Sequence, residues 1–164
     1  MDAKTLLVDQ LQIHAKAFLK GLTDTPEEIF AITPPAGGHS VAWHALHIAD
    51  WQRILISPGL TGVQAGETFA HLGWEESDFA RSAFGASPAS ESDPKDRILE
   101  YVRSELERGV QDIMAANDDQ LQARVQTPMG ERIVLSMIQT QIRHIPYHWG
   151  QAMMTRLQLS RAKL

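Results

Sequence analysis

Met137-Ile-Gln-Thr-Gln-Ile-Arg-His144-Ile-Pro-Tyr-His148-Trp-Gly-Gln151 lies inside a long apolar-periodic segment running from about Ile133 to Leu159. Apolar residues recur at helical spacing throughout it, so the segment is predicted to be one long helix. His144 and His148 are four residues apart and therefore lie on one face, a turn from each other. Ile133, Val134, Met137, Ala152 and Thr155 fall beside them, which makes that face otherwise apolar and directs both imidazoles towards a core. Buried polar rings need partners. Two rings at this spacing can share one metal ion, or they can be core histidines that hydrogen-bond to their neighbours. The spacing alone supports the two readings equally.

Working back along the chain, three more long helices are expected. Residues 4–21 carry the stripe Leu7, Leu11, His14, Phe18 and Leu22, with Gly21 as a plausible stop. His14 reads as a satisfied core or pocket histidine. Thr25-Pro26-Glu27-Glu28 reads as a helix start, with Thr25 as N-cap, Pro26 at the first position and a glutamate at the third, and Thr33-Pro34-Pro35-Ala36-Gly37-Gly38 ends that short helix. Ser40 caps the second main helix, about 41–56, on which Trp43, His47, Trp51 and Ile54 share a face. His47 sits at the centre of that stripe, between two tryptophans able to wall a pocket. His44 lies off the line, towards Ile48 and Leu55, and competes with His47 for the same region.

Asp93-Pro94-Lys95-Asp96 opens the third main helix, to about Ala116. Ile98, Val102, Gly109 and Ile113 form its inner stripe. Glu105 stands among them, and its side chain is expected to reach solvent from the stripe's edge. Between the second and third helices, residues 57–92 read as a long ordered crossover connection. They hold one short helical candidate, Trp74 to Phe79, and Phe69, Leu72, Trp74, Phe79 and Phe84 need burial. His71 reads as a solvated loop residue. Residues 117–130 form a polar connection ending in the turn Thr127-Pro128-Met129-Gly130. In the fourth helix Pro146 points away from the histidines. Ile142, Trp149 and Met153 make a second apolar strip, suited to the 57–92 connection or to another subunit. The expected fold is all-α: a single-domain four-helix bundle over residues 1–164, with a long crossover between helices two and three and no strands.

Composition narrows the function. The chain of 164 residues is 43% apolar, enough to fill one core. A net charge of −5 without a basic run argues against nucleic acid or an anionic membrane as partner. No long apolar span and no signal-peptide pattern at the N-terminus make a cytoplasmic location the default. With no cysteine, any metal must sit on nitrogen or oxygen, and any thiol must arrive with a substrate. One histidine from helix two and two from helix four make a three-nitrogen set with a fourth position open, the pattern of catalytic rather than closed structural zinc sites. A ferritin-like di-iron site needs Glu-x-x-His motifs, which are lacking.

In their order and spacing, Trp43-His44-Ala45-Leu46-His47-Ile48, the turn Thr127-Pro128-Met129-Gly130 and His144-x-x-x-His148-Trp149-Gly150-Gln151 resemble the DinB/YfiT-like metalloenzyme family, over essentially the whole chain. The resemblance implies a four-helix bundle, commonly a homodimer, with a divalent metal on His47, His144 and His148. Zinc or nickel lead, with iron, manganese or copper as further options. It also implies Gln151 as a supporting group behind the ligands. Pro146, and Trp149 where many members carry arginine, depart from the family pattern in ways that bear on pocket shape and substrate. Some relatives use low-molecular-weight thiols such as bacillithiol or mycothiol, as S-transferases or isomerases.

The leading expectation is therefore a metal-dependent enzyme acting on a small molecule, including thiol S-transfer, with Trp43 and Trp51 walling the pocket. Glu105, Asp50 and Gln151 are the candidates for moving a proton or orienting a ligand. A metal-bearing binding or stress-response protein without turnover is the alternative, and a bundle with purely hydrogen-bonded histidines is the third. A pocket reaching the open metal position would separate chemistry from a sealed structural ion.

Overall fold

The structure, a computed structural model, describes residues 2–56, 67–127 and 130–161. Four long helices carry it: α1 (Ala3–Thr23), α3 (Val41–Leu55), α5 (Lys95–Ala115) and α7 (Val134–Arg161). Short helices α2 (Glu27–Phe30), α4 (Asp78–Ala83) and α6 (Asp118–Gln122) lie between them. Strands β1 (Arg124–Thr127) and β2 (Gly130–Ile133) follow α6. α1 and α3 each pack against both α5 and α7. The four long helices thus form a ring in which α1 lies diagonally across from α3. The expected four-helix architecture, with the crossover between α3 and α5, is what the chain adopts.

Local signals set the helix starts. Asp2 accepts the amide of Thr5 at 2.8 Å and caps α1. Ser40 accepts the amide of Trp43 at 2.9 Å and caps α3. Asn117 and Gln120 form a reciprocal capping box on α6. Each such cap satisfies an amide that the helix itself leaves unpaired. The core is continuous along the inner faces, from Leu11, Phe18 and Leu22 through Leu46, Ile48 and Ile54 to Ile98, Leu106, Met137 and Ile145. Pro146 lies inside α7, and the helix continues through it.

Several expectations are corrected. The polar connection after α5 contains the β1–β2 hairpin, antiparallel with Arg124 opposite Ile133 and Thr127 opposite Gly130. Its alternation is carried by polar residues, so it has no apolar face to announce a strand. Gly130, at φ 89°, supplies the left-handed position of the turn, while Pro128 and Met129 lie outside the described residues, as do Ser57, Pro58 and Gly59. The short helix in the crossover begins at Asp78 rather than Trp74, because Ser77 caps it by accepting the amide of Ala80 at 3.1 Å. Of the aromatic and apolar residues there, Phe69 and Leu72 are buried and Phe79 is half-buried, but Trp74 and Phe84 are exposed. Thr25 does not cap α2; its hydroxyl donates to the Gly21 carbonyl at 2.9 Å.

Gly21 is not a helix stop either, since α1 runs on to Thr23. It is where Trp149 of α7 meets α1. A Cβ at Gly21 would stand 1.5 Å from the Trp149 ring, and that ring packs edge-on against Phe18 at 6.2 Å. The second apolar strip of α7 therefore seats its tryptophan on α1. Gly21→Ala is expected to lower stability by about 1–3 kcal/mol through overpacking, although alanine is the better helix former by about 1 kcal/mol. In a Trp149→Ala background the same change should become neutral or stabilising. Urea unfolding of the four-member cycle reads the coupling directly.

Candidate metal centre

α3 and α7 are neighbours, and their facing stripes bring His47, His144 and His148 together. One ring nitrogen from each can be chosen so that all three lie within 4.8 Å of one another. His47 and His148 are buried and His144 is half-buried. The Nε2 atoms of His47 and His144 face each other at 3.1 Å. Two nitrogens bound tetrahedrally to one ion at about 2.0–2.1 Å would stand roughly 3.3 Å apart.

The far side of each ring shows which nitrogen carries hydrogen. His47 Nδ1 lies 2.7 Å from the carbonyl of His71, an acceptor only, so Nδ1 must donate. His144 Nδ1 lies 3.3 Å from Gln141 Oε1. Gln141 is fully buried and its Nε2 donates to the Ile48 carbonyl at 3.2 Å, which turns its oxygen towards His144. A neutral imidazole has one N–H. Both rings have placed it on Nδ1, so two bare Nε2 lone pairs meet in a part-buried site. They repel unless a cation lies between them.

His148 Nδ1 lies 3.1 Å from Nδ1 of His44. With His148 as donor, its Nε2 is likewise bare and available to the centre. Such outer partners select the tautomer and aim of a metal-binding histidine.

A proton is a poor substitute for the cation. Burial, followed by repulsion from neighbouring imidazoles, pushes His44 and His144 down from 6.5 to about 3. His148 falls to about 4 for the same reasons, against an upward pull from Gln151. His47 is held well below 6.5, with burial again the largest cause. The rings are thus neutral, the form that ligates metal.

The walls are aromatic. Trp43 is sandwiched between His39, at 3.6 Å and 11° between planes, and His47, at 4.5 Å and 19°. Trp51 donates its indole N–H to the Leu72 carbonyl at 3.0 Å and lies 5.9 Å from the His144 ring. A cavity of about 510 Å³ reaches the three histidines between these walls. Trp43, Trp51 and Gln151 line it, and Trp74, Glu75 and Tyr147 do so as well. Trp74 is the only non-glycine residue with positive φ, at 53°, among the described residues, a conformation costing about 1–2 kcal/mol.

Other predicted residues lie elsewhere. Asp50 does not line the cavity. Its Oδ2 accepts from the amides of Ala70 and His71 and from His71 Nδ1, at 3.2–3.3 Å. Its Oδ1 accepts from Ser87 at 2.8 Å and Tyr101 at 3.0 Å, and stands 3.5 Å from Arg53. Burial alone would raise its pKa, but the donors from His71, Ser87 and Tyr101 outweigh burial and hold it low. The carboxylate is committed to these partners. His71 is buried, not a solvated loop residue. Glu105 is buried and pairs with Arg108 rather than reaching solvent freely. His14 is half-buried and outside the cavity. Gln141 is not among the sequence-predicted site residues, although its place three residues before His144 on the same face was the signal that could have found it. The His71 carbonyl offered no such signal, because a backbone group leaves no mark on composition.

A protein-family model described as the DinB superfamily matches residues 10–152. The chain belongs to the DinB superfamily. A crystal structure titled as the conserved protein of locus from Enterococcus faecalis aligns with this DinB-superfamily chain at a TM-score of 0.66. That alignment covers 96% of this chain and 97% of the other at 15% identity, a likeness of fold. No curated protein matches the sequence.

Two outcomes follow from the geometry. Asp50→Ala strands several buried donors and an arginine, and is expected to cost about 3–5 kcal/mol in urea unfolding. The second concerns pH in the metal-free protein. The folded histidines titrate below their unfolded value near 6.5, so between the two the unfolded chain binds more protons. Stability is full above about pH 6.5 and falls as pH drops towards the folded values. An unfolding midpoint unchanged between about pH 7.5 and about pH 5.5 would contradict neutral buried rings.

Proposed function

We propose that this protein binds one divalent metal ion through His47, His144 and His148 and acts on a small molecule, with thiol S-transfer as the leading reaction. The two bare Nε2 atoms 3.1 Å apart in a part-buried site carry the reading, because facing lone pairs at that distance repel and a cation held between them relieves the repulsion. The cavity that reaches the histidines supports chemistry over a sealed structural ion. When bound, the metal supplies Lewis acidity, favouring the anionic form of a thiol or water near neutral pH. The chain's own part is to hold three neutral imidazoles, to keep water out with Trp43 and Trp51, and to orient the incoming group. In S-transfer a sulfur–carbon bond forms, the bond from carbon to the leaving group breaks, and the thiol proton departs with that group. His39 and Gln151 line the cavity beside the histidines; the imidazole is the group placed to relay that proton, and the amide is placed to orient the incoming group. Nitrogen ligands suit zinc or nickel, and iron or manganese in turn. A homodimer, implied by the family resemblance, belongs to the same proposal and is read by sedimentation.

Elemental analysis of untagged protein should give about one equivalent of metal, and little in His47→Ala or His148→Ala. His44→Ala should weaken binding by about 10–100-fold without abolishing it, as loss of an outer partner does. Loss of metal only in His44→Ala would overturn the ligand assignment. Conjugation of bacillithiol, mycothiol or glutathione to monochlorobimane, dependent on the restored metal, tests the transferase reading. Bound metal without conjugation of any of them, or of an uncharged aryl thiol such as benzyl mercaptan, would favour the binding-protein alternative.

A further inference from the structure

The mouth of the cavity is lined by two large aromatic side chains from different elements. Trp74, in the crossover connection, is 61% exposed, and Tyr147, on α7, is 63% exposed. Each makes one ring contact with the site among the described residues. Trp74 meets Trp51 at 5.5 Å and 77°, and Tyr147 meets His148 at 5.0 Å and 89°. Most of both rings is left open. The inner tryptophan differs, for Trp43 has His39 on one face and His47 on the other and no face left for a ligand. An exposed indole held at positive φ brings little to folding, since it hides little apolar surface at a backbone cost. Its position beside the cavity accounts for it better.

The charge at the mouth is equally specific. Glu75 lines the cavity, and no lysine or arginine does so among the described residues. Residues 57–66 carry no lysine or arginine in sequence. A ligand with a carboxylate or phosphate at its outer end would find no lysine or arginine in that lining, and would stand beside a like charge.

We propose that the cavity selects a small molecule with one donor group at its inner end and a flat, apolar outer end free of negative charge, held by Trp74 and Tyr147. This rests on the metal reading above and narrows it. The preferred thiol or acceptor is an aryl or similarly flat compound, and thiols with outer carboxylates, glutathione among them, are poor ligands.

A matched pair tests the selection: benzyl mercaptan and its para-carboxylate, 4-(mercaptomethyl)benzoic acid. Binding to cobalt-loaded protein is followed by the thiolate-to-cobalt absorption band. Benzyl mercaptan is expected to bind roughly tenfold more tightly, from stacking together with like-charge rejection. Trp74→Ala and Tyr147→Ala should each weaken it by roughly three- to tenfold. Both should leave 2-mercaptoethanol, too short to reach the mouth, unchanged. Glu75→Lys should narrow or reverse the preference within the pair. All three residues are exposed, so the variants should fold. Equal affinity for the two thiols, or indifference to both aromatic substitutions, would overturn the proposal with the metal reading intact. Failure to bind cobalt, zinc or nickel would instead sink the metal reading. The same pair is then compared on metal-free protein by tryptophan fluorescence, where the preference should persist and its absence would overturn the mouth proposal as well.

Discussion

A single buried carboxylate ties the site to the fold. Asp50 stands on α3, one turn beyond His47, and is fully buried. An unpaired charge there would be prohibitively costly, so its oxygens dictate what surrounds them. They draw in the backbone of Ala70 and His71, the hydroxyls of Ser87 and Tyr101, and Arg53. Two of those groups, the backbone at 70–71 and the hydroxyl of Ser87, belong to the crossover between α3 and α5. Asp50 is therefore the clasp that holds the crossover against the bundle.

The clasp has a chemical consequence. With the His71 amide held by Asp50, the carbonyl of the same residue lies at the Nδ1 of His47. The crossover thereby chooses a tautomer, and the choice leaves Nε2 directed at His144. Gln141, held by the Ile48 carbonyl, makes the corresponding choice for His144. The centre is thus prepared from behind by groups that never face the cavity. Of the inner walls, Trp43 is likewise occupied, stacked between His39 and His47, and the exposed aromatic surface lies at the mouth, on Trp74 and Tyr147.

Much of this was legible in the sequence. Periodicity of 3.6 residues marked four long helices, because each must bury an apolar stripe. The cap at Ser40 marked where α3 begins, whereas the Asn117 capping box of α6 lies unread within a stretch that reads as a polar connection. His144 and His148 declared a shared face by spacing alone, and His47 lay at the centre of the stripe on α3. Polar alternation hid the β1–β2 hairpin, since period 2 is visible only when one face is apolar. Trp74 and Phe84 were assigned to burial by their size, and hydrophobicity alone does not reveal an indole kept at a cavity mouth.

The sequence by itself determined which faces are apolar and which carry imidazoles, because helical geometry converts spacing into direction without reference to the rest of the chain. Only the tertiary structure decided what those imidazoles meet. The pairing of His47 with the His71 carbonyl, of His148 with His44, and of Trp149 with Gly21 joins residues far apart in sequence. Those contacts depend on how helices pack and where a long connection is pinned. The role of Asp50 was decided the same way: a carboxylate beside a histidine reads as a proton carrier until its partners are known, and here five hydrogen bonds and an arginine commit it to structure.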